Sequence, residues 1–206
     1  MADEPVEPLD LELDTWDAWT PAAAARNLRR LAAPWYVAAG WALDLFLGAQ
    51  TREHDDLEIG VPAHRFGEVR AAVDDFELFV VGDGRAWPMT ESSLAIHHQT
   101  WLRDRDGGPW RVDLFREPWN DDVWICRRDP RIRLPAARLI SHTSDGIPYA
   151  QPEVVLLFKA SAVRPKDEAD FASVLPYLDA RRRRWLRDAL RLVHHGHPWL
   201  EQLESN

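Results

Sequence analysis

Residues 39–61 read AGWALDLFLGAQTREHDDLEIGV, and the order of residue types in this stretch decides the fold. Upstream, WYVAA (35–39) reads as a buried strand that ends at Gly40, and WALDLFLG has helical composition with Gly48 as its stop. A glycine at a strand-to-helix turn lets a phosphate approach the backbone, and the helix that follows offers its N-terminal amides. In DLEIGV (56–61) acidic and apolar residues alternate, the period of a strand. Asp56 and Glu58 therefore share one face while Leu57 turns to the other. Two carboxylates on one buried face repel each other unless a cation neutralises them, and hard oxygen ligands with room for water and phosphate suit Mg²⁺. A third acid, Asp113, sits inside the strand-like RVDLF with Val112 and Leu114 on its opposite face. It can complete the cluster as a shared ligand or serve as a general base.

Working outward, residues 1–19 form an acidic arm with Pro5 and Pro8, docked by Leu11, Leu13 and Trp16. Thr20, Pro21 and AAAARNLRRLAA make an N-cap, a first-turn proline and a helix stopped by Pro34. AHRFGEVRAAVDD (63–75) is helical by the spacing of Phe66, Val69 and Val73. Strands are expected at 76–81, 94–102 and 110–115, the last two joined by the hairpin loop RDRDGGP, and further strands at 123–128 and 131–134. From Pro152 the pattern becomes helical through PEVVLLFKASAV, KDEADFASVL and ARRRRWLRDALRLV, ending at Gly196. The expected division is an arm at 1–19, an α/β domain at 20–145 and a helical region at 146–206.

Composition narrows the partners. The 206 residues carry 34 acids against 25 Lys and Arg, a formal charge of -9, which excludes the basic footprint of a duplex nucleic acid or anionic membrane binder. No apolar run is long enough to span a bilayer. The arm has seven acids and no basic residue before residue 20, unlike a signal peptide, and the single Cys126 asks for no oxidising compartment, so a cytoplasmic protein is expected. The 11 Trp against 3 Tyr suit a Trp-rich core, ring-stacking platforms or both.

Gly40-Trp41-Ala42-Leu43-Asp44, Thr51-Arg52 and His54-Asp55-Asp56-Leu57-Glu58 together resemble the active-site signature of the polymerase-β-like nucleotidyltransferases, and the flanking GWALD and TR-x-HDD resemble its aminoglycoside 2''-adenylyltransferase branch. The likeness is dense over about 35–62 and returns at Asp113 and at GIPYAQPEVVLLFKASAVRPKDEADF (146–171). It implies an α/β (α+β) fold, a mixed sheet flanked by helices with a helical C-terminal portion. It also implies an enzyme that moves AMP, or another NMP, from ATP to a hydroxyl of a small molecule such as an aminoglycoside, releasing pyrophosphate. The chain departs from the pattern at Ala39-Gly40, where the family has Gly-Gly or Gly-Ser, and at Glu58, where Asp is common.

On this reading Asp56, Glu58 and Asp113 are the catalytic and metal-holding residues. Gly40, Trp41, Arg52, Lys159 and Lys166 lie on the nucleotide side, with Lys159 first among the cations because it interrupts an otherwise apolar helix. Partners are a nucleotide and a small hydroxyl acceptor, for a monomer or homodimer. A protein or RNA acceptor of toxin-antitoxin type and a non-catalytic nucleotide-binding module are the alternatives. Structural roles are expected for Asp44 (holding Arg52 or a backbone amide), Asp167 and Asp170 (ion pairs) and Arg181–Arg184 (a solvated face). The pairs His97-His98 and His194-His195 lack partners at zinc spacing.

Overall fold

The computed structural model describes residues 7–204; residues 1–6 of the acidic arm, with Pro5, lie outside them. In chain order the elements are α1 (Pro21–Asn27), β1 (Tyr36–Val37), α2 (Ala39–Leu47), β2 (Glu58–Pro62), α3 (Phe66–Ala72), β3 (Glu77–Gly82), β4 (Arg85–Trp87), α4 (Glu91–Ile96), β5 (Gln99–Arg103) and β6 (Trp110–Glu117). There follow β7 (Trp119–Asn120), β8 (Val123–Ile125), β9 (Arg133–Pro135), α5 (Ala136–Leu139), β10 (Ile140–His142), β11 (Pro148–Ala150), α6 (Pro152–Lys159), α7 (Pro165–Val174), α8 (Ala180–Val193) and α9 (Trp199–Glu204). They form two compact units interleaved in sequence. One holds residues up to Trp35 and His54–Glu117, the other Tyr36–Glu53 and everything from Pro118.

The first unit is built on a mixed sheet in the order β2-β6-β5-β3-β4. β2 runs parallel to β6, while β6, β5, β3 and β4 pair antiparallel. Leu57, Ile59, Val61, Val112 and Leu114 are sealed from solvent, as the alternation requires. Phe66, at the start of α3, lies under the Arg116 guanidinium at 5.5 Å, which places α3 on that same side of β6. The β5–β6 hairpin turns at Asp106 and Gly107, both at positive φ. Such paired left-handed residues suit a tight hairpin, and Asp and Gly are the types that reach that region most easily.

The arm docks on this unit. Leu9 donates to the Ala86 carbonyl at 2.7 Å, Trp110 N–H to Thr15 O at 2.8 Å and the Trp110 indole to Glu12 O at 2.8 Å. Trp16 packs edge-on against Trp101 at 4.8 Å between ring centroids, and Trp110 meets Trp101 at 5.4 Å and Phe79 at 5.8 Å. Part of the tryptophan surplus is thus a core that anchors the arm.

In the second unit β11 pairs parallel with β1 and antiparallel with β10, and β7-β8-β9 form a small antiparallel sheet. Helix α2 packs against α6 and α7, α6 against α8, and α8 against α9. Phe171 and Trp199 stack at 4.2 Å with nearly parallel rings, and both are buried. Gly48 ends α2 at φ 75, the left-handed C-terminal stop expected there.

Three local expectations are corrected, and three short strands went unread. The helix from Pro21 ends at Asn27 instead of Ala33, because Leu28–Leu31 closes a tight turn that brings both Leu28 and Ala33 into the core. Residues 94–96 are not strand. Thr90 and Ser93 form a capping box that starts α4, so β5 begins only at Gln99. The strand expected at 56–61 begins at Glu58 and leaves Asp56 in the preceding loop. β4, β10 and β11, three residues each, are too short to show a period in sequence.

Candidate active site

The acids of the first unit are placed by strand register. Glu58 on β2 is the direct parallel partner of Asp113 on β6, and Trp101 on β5 is Asp113's antiparallel partner. Directly opposed residues point to the same side, so Glu58, Asp113 and Trp101 form a row across three strands. Asp113 N–H donates to Leu57 O at 2.9 Å, which fixes the height of the row. Asp56, two residues before Glu58, is half-buried, as is Glu58, whereas Asp113 is only 3% exposed.

Burial foremost, and then the neighbouring Glu58 carboxylate, push the Asp113 carboxyl well above the ordinary carboxylate range. Asp56 adds a smaller push in the same direction. Gln99 opposes them by donating Nε2–H to Asp113 Oδ2 at 2.6 Å, and the Trp101 indole also pulls downward, though its N–H does not meet hydrogen-bond geometry. Asp113 Oδ1 is buried with no hydrogen-bond partner. A buried carboxylate beside two others, with one oxygen unsatisfied, is the environment a hard divalent cation would relieve. The donor set fits Mg²⁺ in chemistry: three oxygen ligands and no thiol or imidazole. Among the described residues no three His, Cys, Asp or Glu side chains close on one point, so the strands supply an open row of acids and not a finished cage. Mg²⁺ commonly keeps several waters and borrows phosphate oxygens, and an open row leaves room for both.

Sequence reading missed Gln99 and Trp101, because 94–102 read as one continuous strand with no chemistry attached. The signal was present: Gln99 and Trp101 are two apart on one strand, and pairing that strand against RVDLF sets both beside Asp113.

The second unit carries the candidates of the nucleotide side. Gly40 is buried in the first turn of α2, and Trp41 is half-buried beside it. Ala39 stands at φ 47, in the left-handed region that disfavours a Cβ. This is the position where the resembled signature has glycine. Asp44 accepts from Thr51 N at 3.1 Å and Thr51 Oγ1 at 2.6 Å, so it holds a backbone amide as expected and ties the loop after α2 to the helix.

Arg52 pairs with Asp170 at 3.2 Å, and Lys159 bridges Asp167 and Asp170 at 2.8 Å each. Asp167 also accepts from the Arg164 side chain and backbone N–H. Against the cost of burial, these partners hold the Asp167 and Asp170 carboxyls below their ordinary range. Asp167 and Asp170 are the ion-pair anchors that the sequence suggests. Lys159, only 8% exposed, has two carboxylates to explain its place in an apolar helix. Lys166 is exposed on α7. On α8, whose Leu186, Ala189 and Leu190 are buried, Arg181 and Arg184 are exposed as expected, but Arg182 and Arg183 depart from a solvated face: both are half-buried, Arg182 donating to Gln151 and Arg183 to the Leu175 and Leu178 carbonyls.

The Aminoglycoside-2''-adenylyltransferase family profile covers residues 22–114, a span that contains Gly40, Arg52 and all three acids. Over residues 22–114 the chain is similar to the aminoglycoside-2''-adenylyltransferase family. A 2''-aminoglycoside nucleotidyltransferase of Escherichia coli and one of Klebsiella pneumoniae are each 43% identical to this chain over 53 residues, 26% of this chain and 27% of theirs. The chain thus matches about a quarter of the length of these curated relatives.

Solved structures resemble this chain over a larger share. The solution structure of the antibiotic-resistance factor ANT(2'')-Ia aligns with TM-score 0.54 at 21% identity, covering 84% of this chain and 92% of that one. The crystal structure of ANT(2'')-Ia in complex with adenylyl-2''-tobramycin gives 0.55 at 17% identity, covering 81% and 92%. A lincosamide antibiotic adenylyltransferase, LnuA, with lincomycin bound gives 0.51 at 19% identity, covering 73% and 91%. At these identities the likeness establishes the fold, the mixed α/β fold of these adenylyltransferases. Among the described residues no helix is long and apolar enough to cross a membrane.

Proposed function

We infer that this protein transfers AMP from ATP to a hydroxyl of a small antibiotic-class molecule, an aminoglycoside in the first instance, and releases pyrophosphate. The observation that carries this reading is the register pairing of Glu58 with Asp113, with Asp56 adjacent, inside the segment that is similar to the family. Three oxygen donors and an unsatisfied Asp113 Oδ1 suit Mg²⁺, held by Asp56 and Glu58 with Asp113 as the third ligand. When bound, the ion supplies charge neutralisation to the phosphate oxygens.

The acceptor oxygen attacks the α-phosphorus, the bond from that phosphorus to the α,β-bridging oxygen breaks, and the electron pair leaves on pyrophosphate. Where Asp113 is not itself spent on the metal, it is the general base that takes the hydroxyl proton. Gly40, Trp41, Arg52, Lys159 and Lys166 are the candidates on the nucleotide side. Of the three cations, exposed Lys166 and the quarter-exposed Arg52 have surface to offer a phosphate, whereas Lys159 is shared between two aspartates. A net charge of -9 favours a polycationic acceptor over an anionic one.

The test is a matrix of donors and acceptors. ATP labelled at the α-phosphate is incubated with aminoglycosides, lincosamides, total RNA and a protein lysate, and the labelled product is identified by mass. An adenylylated antibiotic supports the reading. Label in RNA or protein moves the assignment to a macromolecular acceptor. Tight ATP binding with no product under any condition would identify a non-catalytic module.

A further inference from the structure

Asp113 accepts one hydrogen bond of normal geometry, from Gln99, with the Trp101 indole N–H nearby but outside that geometry. Gln99 Nε2 donates to Oδ2 at 2.6 Å, while Oδ1 of the same carboxyl is buried and free of hydrogen bonds. Gln99 is half-buried and begins β5. It lies diagonally across from Asp113, two residues from the direct partner Trp101, because Gln99 itself opposes Phe115. A diagonal cross-strand neighbour is about 7–8 Å away at the backbone, a span that the long glutamine side chain bridges. Asparagine or serine at this position would fall short of it.

The donated bond has a geometric consequence. A carboxylate can rotate about its last torsion over a broad range, so neither oxygen is otherwise fixed. The Gln99 bond assigns Oδ2 to the protein and leaves Oδ1 as the oxygen with lone pairs to spend. Trp101 walls the carboxyl on the β5 side, with Trp16 packed on its ring at 4.8 Å, and thereby restricts the alternative rotamers. Glu58 bounds it on the β2 side.

The geometry points to Gln99 as a positioning residue for nucleotidyl transfer: it orients Asp113 so that Oδ1 faces the metal or the acceptor proton. The inference rests on the adenylyltransferase reading of the site and adds to it a residue that touches neither metal nor substrate. Partners that orient a ligating group from behind typically contribute 10–100-fold to metal affinity or turnover.

The experiment compares the wild-type chain with Gln99→Leu and Gln99→Met, which keep comparable bulk and remove the donor. Three quantities are read: kcat and KM for ATP in the transfer assay, Mn²⁺ affinity by electron paramagnetic resonance with a non-hydrolysable ATP analogue, and thermal midpoint. A positioning role predicts kcat lower by roughly 10–100-fold, Mn²⁺ binding weaker by roughly 10-fold, and KM for ATP within about 3-fold. Meeting these in either variant, with a thermal midpoint near wild type, supports the inference. If both variants fold and keep wild-type kcat and Mn²⁺ affinity, the inference is overturned while the functional reading stands. If the wild-type chain neither binds Mn²⁺ nor transfers label, the functional reading fails and takes the inference with it. If the wild type transfers no label but Mn²⁺ binding still depends on Gln99, orientation of Asp113 is supported without the assigned reaction.

Discussion

Replacing Asp113 by asparagine should make the metal-free protein more stable and leave it inactive. Asp113 is 3% exposed, accepts one hydrogen bond, has one unsatisfied oxygen and lies beside two carboxylates. Burial and Glu58 raise its pKa, so in the folded state it holds a proton to higher pH than in the unfolded chain. The sign follows from linkage. Where the native state binds more protons than the unfolded state, stability falls as pH rises, so the penalty is absent below about pH 4 and fully present above the raised folded value. Asparagine has nearly the same shape and carries no charge. Its carbonyl oxygen can still accept from Gln99, and its amide can donate toward the side where Oδ1 now has nothing.

The desolvation penalty of one poorly satisfied buried polar group is about 1–3 kcal/mol, and the like-charged neighbours place this site toward the upper end. For a chain of this size that corresponds to a rise of roughly 4–10 °C in thermal midpoint at neutral pH. The gain should shrink as pH is lowered toward 4, because protonation gives the wild type the same relief. Differential scanning calorimetry at pH 4.5, 6 and 7.5 in EDTA measures both trends. Equal or lower stability of Asp113→Asn at pH 7.5, or a gain that grows on acidification, would refute the account of an electrostatically strained carboxyl.

Other perturbations have defined outcomes. Ala39→Gly relieves a left-handed alanine at φ 47 and should stabilise by about 0.5–1 kcal/mol, read as a higher urea midpoint at unchanged m-value. Lys159→Met leaves buried Asp167 and Asp170 facing each other with only Arg164 and Arg52 to neutralise them, and should cost about 3 kcal/mol in the same measurement. Those two carboxyls have lowered pKa values, so the stability they contribute is present above about pH 4 and is lost as pH falls through their folded values. Lys159→Met should therefore flatten the acid limb of a denaturation series run from pH 6 to pH 3. Trp16→Ala removes the ring packed on Trp101, should cost about 2 kcal/mol, and should speed amide exchange at Trp110 N–H, whose bond to Thr15 O holds the arm.

How much of this was legible in the sequence differs by length scale. The period-two alternation was readable because Leu57 is fully buried between two acids that are not, and Ile59, two residues on, is fully buried as well. The two acids and Asp113 could be named as a set, but their adjacency depends on β2 pairing parallel with β6, a contact more than fifty residues apart that no local pattern encodes. Gln99 was invisible for the same reason, since its role exists only in the register of β5 on β6. Lys159 shows the converse. A lone cation in an apolar helix was correctly marked as needing a reason, and the reason visible in the fold is a pair of aspartates one helix away. The departure at Ala39 could be seen in the sequence; that it falls on a residue with positive φ required the structure.

The central claim is that Asp56, Glu58 and Asp113 act together in metal-dependent adenylyl transfer. Its most direct measurement is transfer of α-phosphate label from ATP to an aminoglycoside, run with Mg²⁺, with EDTA, and with Glu58→Gln in Mg²⁺. The account predicts labelled antibiotic in the first reaction, none with EDTA, and a loss of at least about 100-fold for Glu58→Gln, an effect in the range expected when a metal ligand or charge-stabilising group is removed. Undiminished transfer by Glu58→Gln, or transfer that persists in EDTA, would contradict it.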